Sequence, residues 1–398
     1  MAQLVIDSGC AMTRAALIED DEVGRIWFGP ARGDETHCGH ALIGHIYRGR
    51  VQSLSREMKS GYVQLPGDMV GYIDLKADDP VPSIGALVEV EVTHMARFGK
   101  LPRVRLKKNL VDAKENNDPA SLNPTQDPLL DAFDWLTDGM TGALGDCVFT
   151  SGIAKAGFEK LKLNNPSLAL ATHCRFEPSC FDDICRDLDE FFSPSLTLPS
   201  GGVITIDQSE ALTAIDIDSA AMGAPSRNRL NEKLNREALI SIIRQLQLRM
   251  IGGQIAIDFL PMPKPVQSKF DSWLRGQMKA LPGFGRAGWT PSGLFCFSLP
   301  RNKPSLLEQF TRPSAGGVIK ARAFTPDFTL RHGLSELEVR LRAQPGQKFE
   351  LLISSDIDEI YKANPQWGER VEENYGARIT LHMDKDLKNN SVVFNEKF

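Results

Sequence analysis

The sequence predicts a multi-domain chain of mixed α/β and α+β class, in which a small five-stranded barrel, a strand–helix–strand module and a C-terminal α+β unit follow one another. Three observations carry this expectation. The chain has 398 residues, 42% hydrophobic and 24% charged, an ordinary globular composition that is too long for one small core. Between residues 44 and 106, five short runs of strand-forming residues are separated by Gly and Pro turns. Between residues 203 and 260, two strand-like runs precede a long amphipathic stripe, and a buried strand follows it.

Residues 3–28 alternate apolar and polar around Ile18-Glu19-Asp20-Asp21-Glu22, with Ala16 and Leu17 before the turn and Val23, Ile26 and Trp27 after it, which predicts a β-hairpin ending at Gly29-Pro30. The barrel strands are expected at 46–54, 60–64, 70–74, 87–94 and 102–107, punctuated by Gly61, Pro66-Gly67, Asp78-Asp79-Pro80-Val81-Pro82 and Phe98-Gly99-Lys100. Five such strands suit an OB-type barrel. Residues 110–145 are polar, with one helix expected around 129–136, and a second helical stretch is expected near 181–192. After Leu198-Pro199-Ser200-Gly201-Gly202 the pattern resets into strands at 203–207 and 211–218. Leu230, Leu234, Ala238, Ile242, Leu246 and Met250 then form an i, i+4 stripe on one helix, with Gly252-Gly253 as its expected cap and 254–260 as the next strand. A right-handed crossover places the two flanking strands in one sheet. A helix near 266–279 leads into a Gly/Pro-rich stretch at 282–304. Strand-like 336–341 and 349–353, a helical 356–375 segment and a strand at 378–383 suggest a separate C-terminal unit.

The net charge of −5 exerts no global pull on polyanions, so any nucleic-acid role must rest on local charge. Residues 42–109 hold eleven Lys/Arg against seven Asp/Glu, a net of +4, which leaves −9 for the rest of the chain. Seven cysteines form no paired CxxC spacing, and their odd number argues against a disulfide framework. No run approaches the roughly 20 apolar residues of a membrane span, and Met1-Ala2-Gln3-Leu4 lacks a signal-peptide pattern, so a cytoplasmic location is expected.

In Thr213-Ala214-Ile215-Asp216-Ile217-Asp218, period-two geometry sends Ile215 and Ile217 to one face and Asp216 and Asp218 to the other, about 7 Å apart. In Ile255-Ala256-Ile257-Asp258-Phe259-Leu260, Asp258 is the lone charge of an apolar strand, and a buried carboxylate there demands a cation nearby. If the two strands adjoin, Asp216 and Asp258 converge to about 5 Å, a separation that suits Mg²⁺. Spacing alone leaves two alternatives open: a solvated sheet face, or a pairing of Asp258 with Arg244 or Arg249.

At these residues the chain resembles the ribonuclease E/G family. Leu198-Pro199-Ser200-Gly201-Gly202 with the run from Ile206 to Ser219 is similar to the hairpin that ends in that family's first metal-binding aspartate. Asn235-Arg236-Glu237-Ala238, Arg244-Gln245-Leu246-Gln247-Leu248-Arg249, Gly252-Gly253 and Ile257-Asp258-Phe259 resemble the approach to the second. Thr13-Arg14-Ala15-Ala16-Leu17 and the run from Gly44 to Val51 extend the likeness to its opening hairpin and its RNA-binding barrel. The resemblance implies an opening hairpin of an RNase H-like portion (1–35), an inserted OB-fold RNA-binding domain (36–110) and a degenerate 5′-sensor region (111–165). The rest of the RNase H-like portion (166–197), a DNase I-like catalytic domain (198–304) and a small C-terminal α+β domain (305–398) would follow.

The implied activity is endonucleolytic hydrolysis of single-stranded RNA, in ribosomal or messenger RNA processing, leaving a 5′-phosphate and a 3′-hydroxyl. Asp216, Asp218 and Asp258 would be catalytic, with Mg²⁺ on Asp216 and Asp258. Tyr62, Tyr72, Lys100, Arg103 and Thr150 would contact RNA. Aromatics stack bases at about 1–3 kcal/mol each, and Arg97, Lys100, Arg103 and Arg105 would meet phosphates. A tyrosine packed into the barrel core is the bland alternative.

Several positions depart from the family pattern. Asp218 stands where the family usually has Asn, which exchanges a donor for a charge. Phe149 occupies the place of an arginine in the family's 5′-monophosphate sensor, so Thr150 keeps only a hydroxyl contact. The run from Thr290 to Ser298 lacks the family's charged neighbours of the active site. The CxxC through which family subunits share zinc is missing, so no zinc is expected and any homo-oligomer would not be zinc-linked. His37-Cys38-Gly39-His40 reads as a loop without metal, since no second half matches it. A non-catalytic RNA-binding member of the same fold is the competing reading, and a DNA-directed nuclease is disfavoured because the aromatic barrel surface suits unpaired strands.

Overall fold

The computed structural model describes residues 2–34, 44–67, 69–94, 96, 100–110, 118–122, 127–137, 140, 144–166, 168, 171, 173–178, 181, 191–219, 227–301, 304–314, 322–343, 348–376, 378–388 and 390–397. The chain divides into two compact units. One gathers residues 1–36, 126–193 and 310–398, and the other 37–125 and 194–309.

In the first unit a five-stranded sheet runs in the order His173–Phe176, Leu144–Phe149, Ala2–Ser8, Met12–Glu19, Glu22–Pro30. Stretches expected as three blocks, 1–35, 111–165 and 166–197, thus contribute strands to one sheet. The expected hairpin forms where Asp20 and Asp21 take positive φ values of 52° and 62°, the turn conformation that matches strand twist and that Asp tolerates. The helix Pro128–Thr137 buries Leu129, Phe133 and Leu136 against this sheet, together with Phe158 from the helix Gly152–Lys162. Most of the helical stretch expected at 181–192 lies outside the described residues.

The C-terminal segment has its own three-stranded sheet, Arg378–Met383, Lys348–Ile353, Val392–Lys397, but its core is not separate. Cys10 and Ala11 pack into it beside Leu330, Leu334 and Trp367. The residues read as a strand at 336–341 belong to the helix Pro326–Ala343. The alternation of Leu337, Val339 and Leu341 mimicked a strand. The burial of Leu330, Leu334, Leu337 and Leu341 follows the helical period instead. The helix expected at 356–375 is two, Ser355–Ala363 and Gln366–Tyr375, interrupted at Asn364-Pro365 because proline cannot continue the hydrogen-bond ladder.

In the second unit, residues Ile46–Ser55, Ser60–Gln64, Val70–Asp74, Leu87–His94 and Arg103–Leu110 close into a five-stranded barrel. The first strand pairs with both the second and the fourth, the third pairs in parallel with the fifth, and no edge is left among the five. Val51, Val63, Ile73, Val88, Val90 and Val104 fill its interior. This closure agrees with an OB-fold.

The same unit holds a six-stranded sheet in the order Ser195–Thr197, Val203–Gln208, Thr213–Asp218, Gly253–Asp258, Phe295–Leu299, Gly285–Trp289. The last two strands lie inside the Gly/Pro-rich stretch that the sequence reading left irregular. The helix Arg227–Leu248 crosses from Thr213–Asp218 to its parallel neighbour Gly253–Asp258, and Leu234, Ala238, Ile242 and Leu246 bury onto Ile215 and Ile257. Its stop is not Gly252. Met250 takes φ 57°, the Met250 N–H bonds the Gln247 carbonyl and the Ile251 N–H bonds the Leu246 carbonyl, a Schellman cap formed without glycine. Gly252 is instead required by close approach, since a Cβ there would stand 2.4 Å from the Pro300 carbonyl oxygen.

Candidate active site

The parallel ladder between Thr213–Asp218 and Gly253–Asp258 ends with Asp216 opposite Asp258. Paired residues of adjacent strands project to the same face, and both aspartates are exposed there while Ile215, Ile217 and Ile257 are buried on the other face. The two carboxylates that the sequence placed on awkward faces therefore stand side by side. Asp218 shares that face one step further along, opposite Val203 on the preceding strand. Asp258, expected as a buried carboxylate, is the last residue of its strand and is exposed, so no desolvation cost demands a cation; what brings it to Asp216 is the ladder register.

The alternative pairing partners are otherwise placed. Arg249 is buried and its Nε donates to Gln245 Oε1 at 2.6 Å, and burial lowers the Arg244 guanidinium from its usual range. Among the described residues, no ion pair joins either arginine to Asp258. No group of three or more His, Cys, Asp or Glu within metal-holding distance occurs among the described residues. Two hard carboxylates on one rigid sheet still match what Mg²⁺ asks of a protein, since that ion keeps several waters and takes few protein oxygens. Among the described residues no transition-metal donor, imidazole or thiolate, completes such a set with Asp216 and Asp258.

The surroundings are held by one helix. Asn235 donates through Nδ2 to the Leu260 carbonyl at 2.9 Å and accepts from the Leu260 N–H at 3.0 Å. Asn231 Nδ2 donates to the Pro261 carbonyl at 2.9 Å. Glu237 accepts from the Ser200 N–H at 2.9 Å and from its hydroxyl, fixing the turn before the aspartate hairpin. Sequence reading missed these contacts, because each joins residues 25 or more positions apart. The strand Phe295–Leu299, which begins within the 290–298 run, lies beside Gly253–Asp258, with Cys296 opposite Ala256 and Phe295 opposite Ile257. The Thr290 hydroxyl accepts from the Leu294 N–H at 3.0 Å and closes that hairpin.

On the barrel, Tyr62 and Tyr72 are register partners on adjacent strands, with ring centroids 5.9 Å apart at 68°. Tyr62 is 44% exposed and Tyr72 is half-buried, so neither belongs to the core. Arg103 is opposite Tyr72 in the neighbouring strand and its guanidinium lies 6.0 Å from that ring. Lys100 is exposed three residues before that strand, which begins at Arg103. Arg105, expected to meet phosphate, instead pairs with Glu91 at 2.7 Å, joined by Lys107 at 3.1 Å. The hydrogen bonds from Arg105 and Lys107 hold the Glu91 carboxyl below its usual range. Arg97 and the His37–His40 run lie outside the described residues.

Thr150 lies elsewhere. It is 1% exposed, and its hydroxyl donates to Asp7 inside the first unit. Phe149 is fully buried with its ring 5.1 Å from Phe158, and Ser151 caps the helix Gly152–Lys162 by accepting from the Ala154 N–H. An apolar residue at 149 turns this segment inward as sheet core and helix cap.

A model of the Ribonuclease E/G family matches residues 169–271, which span both aspartates and the helix between them. Over this segment, about a quarter of the chain, the protein is similar to the ribonuclease E/G family. Ribonuclease E of Escherichia coli (strain K12) is 40% identical over 104 residues, 26% of this chain and 9% of that relative. Ribonuclease E of Synechocystis sp. (strain ATCC 27184 / PCC 6803 / Kazusa) is 36% identical over 143 residues, 32% of this chain and 20% of the relative. Ribonuclease G of Salmonella typhimurium (strain SL1344) is 38% identical over 81 residues, 20% of this chain and 17% of the relative. The matched stretches thus span a fifth or less of these relatives. Within the matched segment fall Asp216, Asp218, Asp258, Asn231, Asn235 and Glu237; the barrel tyrosines and the Asp7 cluster fall outside it. Among the described residues no helix is long and apolar enough to cross a membrane.

Proposed function

We propose that this protein is an endoribonuclease that hydrolyses single-stranded RNA in ribosomal or messenger RNA processing, leaving 5′-phosphate and 3′-hydroxyl ends. The observation that carries this reading is the register pair Asp216 and Asp258 on the exposed face of one sheet, within the segment that matches the family. Asp216 and Asp258 would hold Mg²⁺, which supplies Lewis acidity toward a phosphodiester oxygen and lowers the pKa of a coordinated water. Asp218, one step along the face, would orient water as an acceptor only, because a carboxylate has no donor to offer a phosphate oxygen. Tyr62 and Tyr72 stack unpaired bases and Arg103 with Lys100 meets the backbone. The meander of three strands with two parallel additions supports an RNase H-like reading of the first unit, and the six-stranded sheet a DNase I-like reading of the catalytic module.

Incubation of the protein with a fluorescent single-stranded RNA tests the reading. Cleavage is expected with Mg²⁺ and none with EDTA; cleavage that persists in EDTA overturns the metal assignment. A second reading, a non-catalytic RNA-binding protein, draws on the burial of Phe149 and Thr150 and on the carboxylate at 218. Tight binding without cleavage by the wild-type protein would favour it.

The barrel shelf makes a separate prediction. Tyr62→Ala removes one exposed stacking face and is expected to weaken single-stranded RNA binding by about 1–3 kcal/mol. Because Tyr62 is not core, thermal stability should stay within about 0.5 kcal/mol of wild type. Fluorescence anisotropy at fixed salt, with calorimetry alongside, checks both. An unchanged Kd would mean that RNA does not use this shelf.

A further inference from the structure

We propose that Asn235 is a positioning residue of the two-aspartate site, acting through the backbone of Leu260. The inference rests on the reading that Asp216 and Asp258 hold a divalent cation. Asp258 is exposed at the last rung of its ladder, so its neighbours in the sheet restrain it from the N-terminal side only. Two residues later, Leu260 and Pro261 have left the sheet, and their backbone groups need partners from elsewhere. Asn235 is fully buried and answers both groups of Leu260, accepting from its N–H and donating to its carbonyl. Asn231, one helical turn earlier, donates to the Pro261 carbonyl. Phe259, between Asp258 and these anchors in sequence, is buried. Asp258 is therefore clamped from both sides, by the ladder before it and by the helix after it.

The residue type argues the same way. Asparagine is a weak helix former, and Ala or Leu would serve the interior of Arg227–Leu248 better. Only a side-chain amide offers a donor and an acceptor with the spacing of a peptide group. Two asparagines at i and i+4, both spent on the chain just beyond Asp258, show where that helix penalty is offset. Glu237, on the same helix, holds Ser200 ahead of the hairpin that carries Asp216. One helix thus sets both carboxylate strands, the role that outer-shell partners play for metal ligands.

Mn²⁺ binding to the full chain, read from the free-ion paramagnetic resonance signal, tests this without requiring turnover. Four variants are compared well below their melting temperatures: Asp258→Ala, Asn235→Ala, Asn235→Asp and Leu246→Ala, the last a buried apolar residue of the same helix whose side chain cannot hydrogen-bond the chain beyond Asp258. Asn235→Ala is expected to raise the Mn²⁺ midpoint about 10- to 100-fold. Asn235→Asp, which keeps the acceptor for the Leu260 N–H, should recover part of that loss. Leu246→Ala should lower the melting temperature and leave the midpoint unchanged. Equal midpoints for Asn235→Ala and wild type, or equal shifts for Asn235→Ala and Leu246→Ala, overturn the proposal while leaving the metal reading standing. An Asp258→Ala protein that binds Mn²⁺ as wild type does overturns both. If Asn235→Ala does not fold, Asn231→Ala replaces it, and a wild-type midpoint there overturns the proposal.

Discussion

Replacing Asp258 with asparagine is expected to lower kcat on single-stranded RNA by about 10²- to 10³-fold while leaving the fold intact, the size of loss seen when one preorganised electrostatic group is removed from a reacting centre. The substitution keeps volume and one oxygen but removes the charge that a hard divalent cation requires. Asp258 is exposed at a strand end, so nothing in the core is disturbed, and stability should change by less than about 0.5 kcal/mol. Asp216→Asn should behave alike, since its partner in the ladder is Asp258 itself. The double variant should be little worse than either single one, because both residues act on one ion and their effects do not add. Asp218→Asn is the informative contrast. It restores the residue type usual in the family and adds a donor, so activity should be retained. Initial rates across a Mg²⁺ titration measure all four, and an Asp258→Asn protein that cleaves at the wild-type rate would sink the mechanism.

What the sequence revealed followed from short-range rules. The barrel strands were legible because turn residues such as Pro66-Gly67 bound alternating runs, and their observed limits fall within a few residues of those expected. The aspartate strands were legible because period two separates Ile215 and Ile217 from Asp216 and Asp218. The strands Gly285–Trp289 and Phe295–Leu299 were not. Their glycines and Pro291 read as loop, and Arg286 at φ 46° bulges the edge strand, so no alternation survives to be seen. The Asn235 clamp was invisible for another reason: its meaning lies in a tertiary contact with Leu260, and one side chain in a helix gives no sign of it. Thr150 illustrates the converse. Aligned by likeness it belongs with a phosphate, but with Phe149 beside it the segment folds inward and its hydroxyl meets Asp7.

That Asp7 cluster carries the largest stability effect to be expected. Burial alone would raise the Asp7 carboxyl, but Arg14, Arg342 and the Thr150 hydroxyl outweigh it and hold it at about 2. Arg14 donates to one carboxylate oxygen and Arg342 to the other at 3.0 Å, so Asp7 joins the opening sheet to the C-terminal helix Pro326–Ala343. A nearby contact repeats the join, since Asp34 accepts from Arg331 at 3.1 Å and from the Trp367 indole at 3.0 Å. Asp7→Asn keeps the shape but leaves Arg14 buried without its counter-charge, and should cost about 3–5 kcal/mol at pH 7.

The pH dependence follows from the sign of the shift. A folded-state pKa below the unfolded value near 3.8 means that Asp7 stabilises above about pH 4, and that this contribution, on the order of 2 kcal/mol, fades as pH falls toward 2. Wild type and Asp7→Asn should therefore differ most at neutral pH and draw together in that acid window. Denaturant unfolding at pH 7, 4 and 2.5 measures the gap. A gap that is constant with pH would overturn the charge reading, whereas one that narrows assigns the join between the opening sheet and the C-terminal helix to charge.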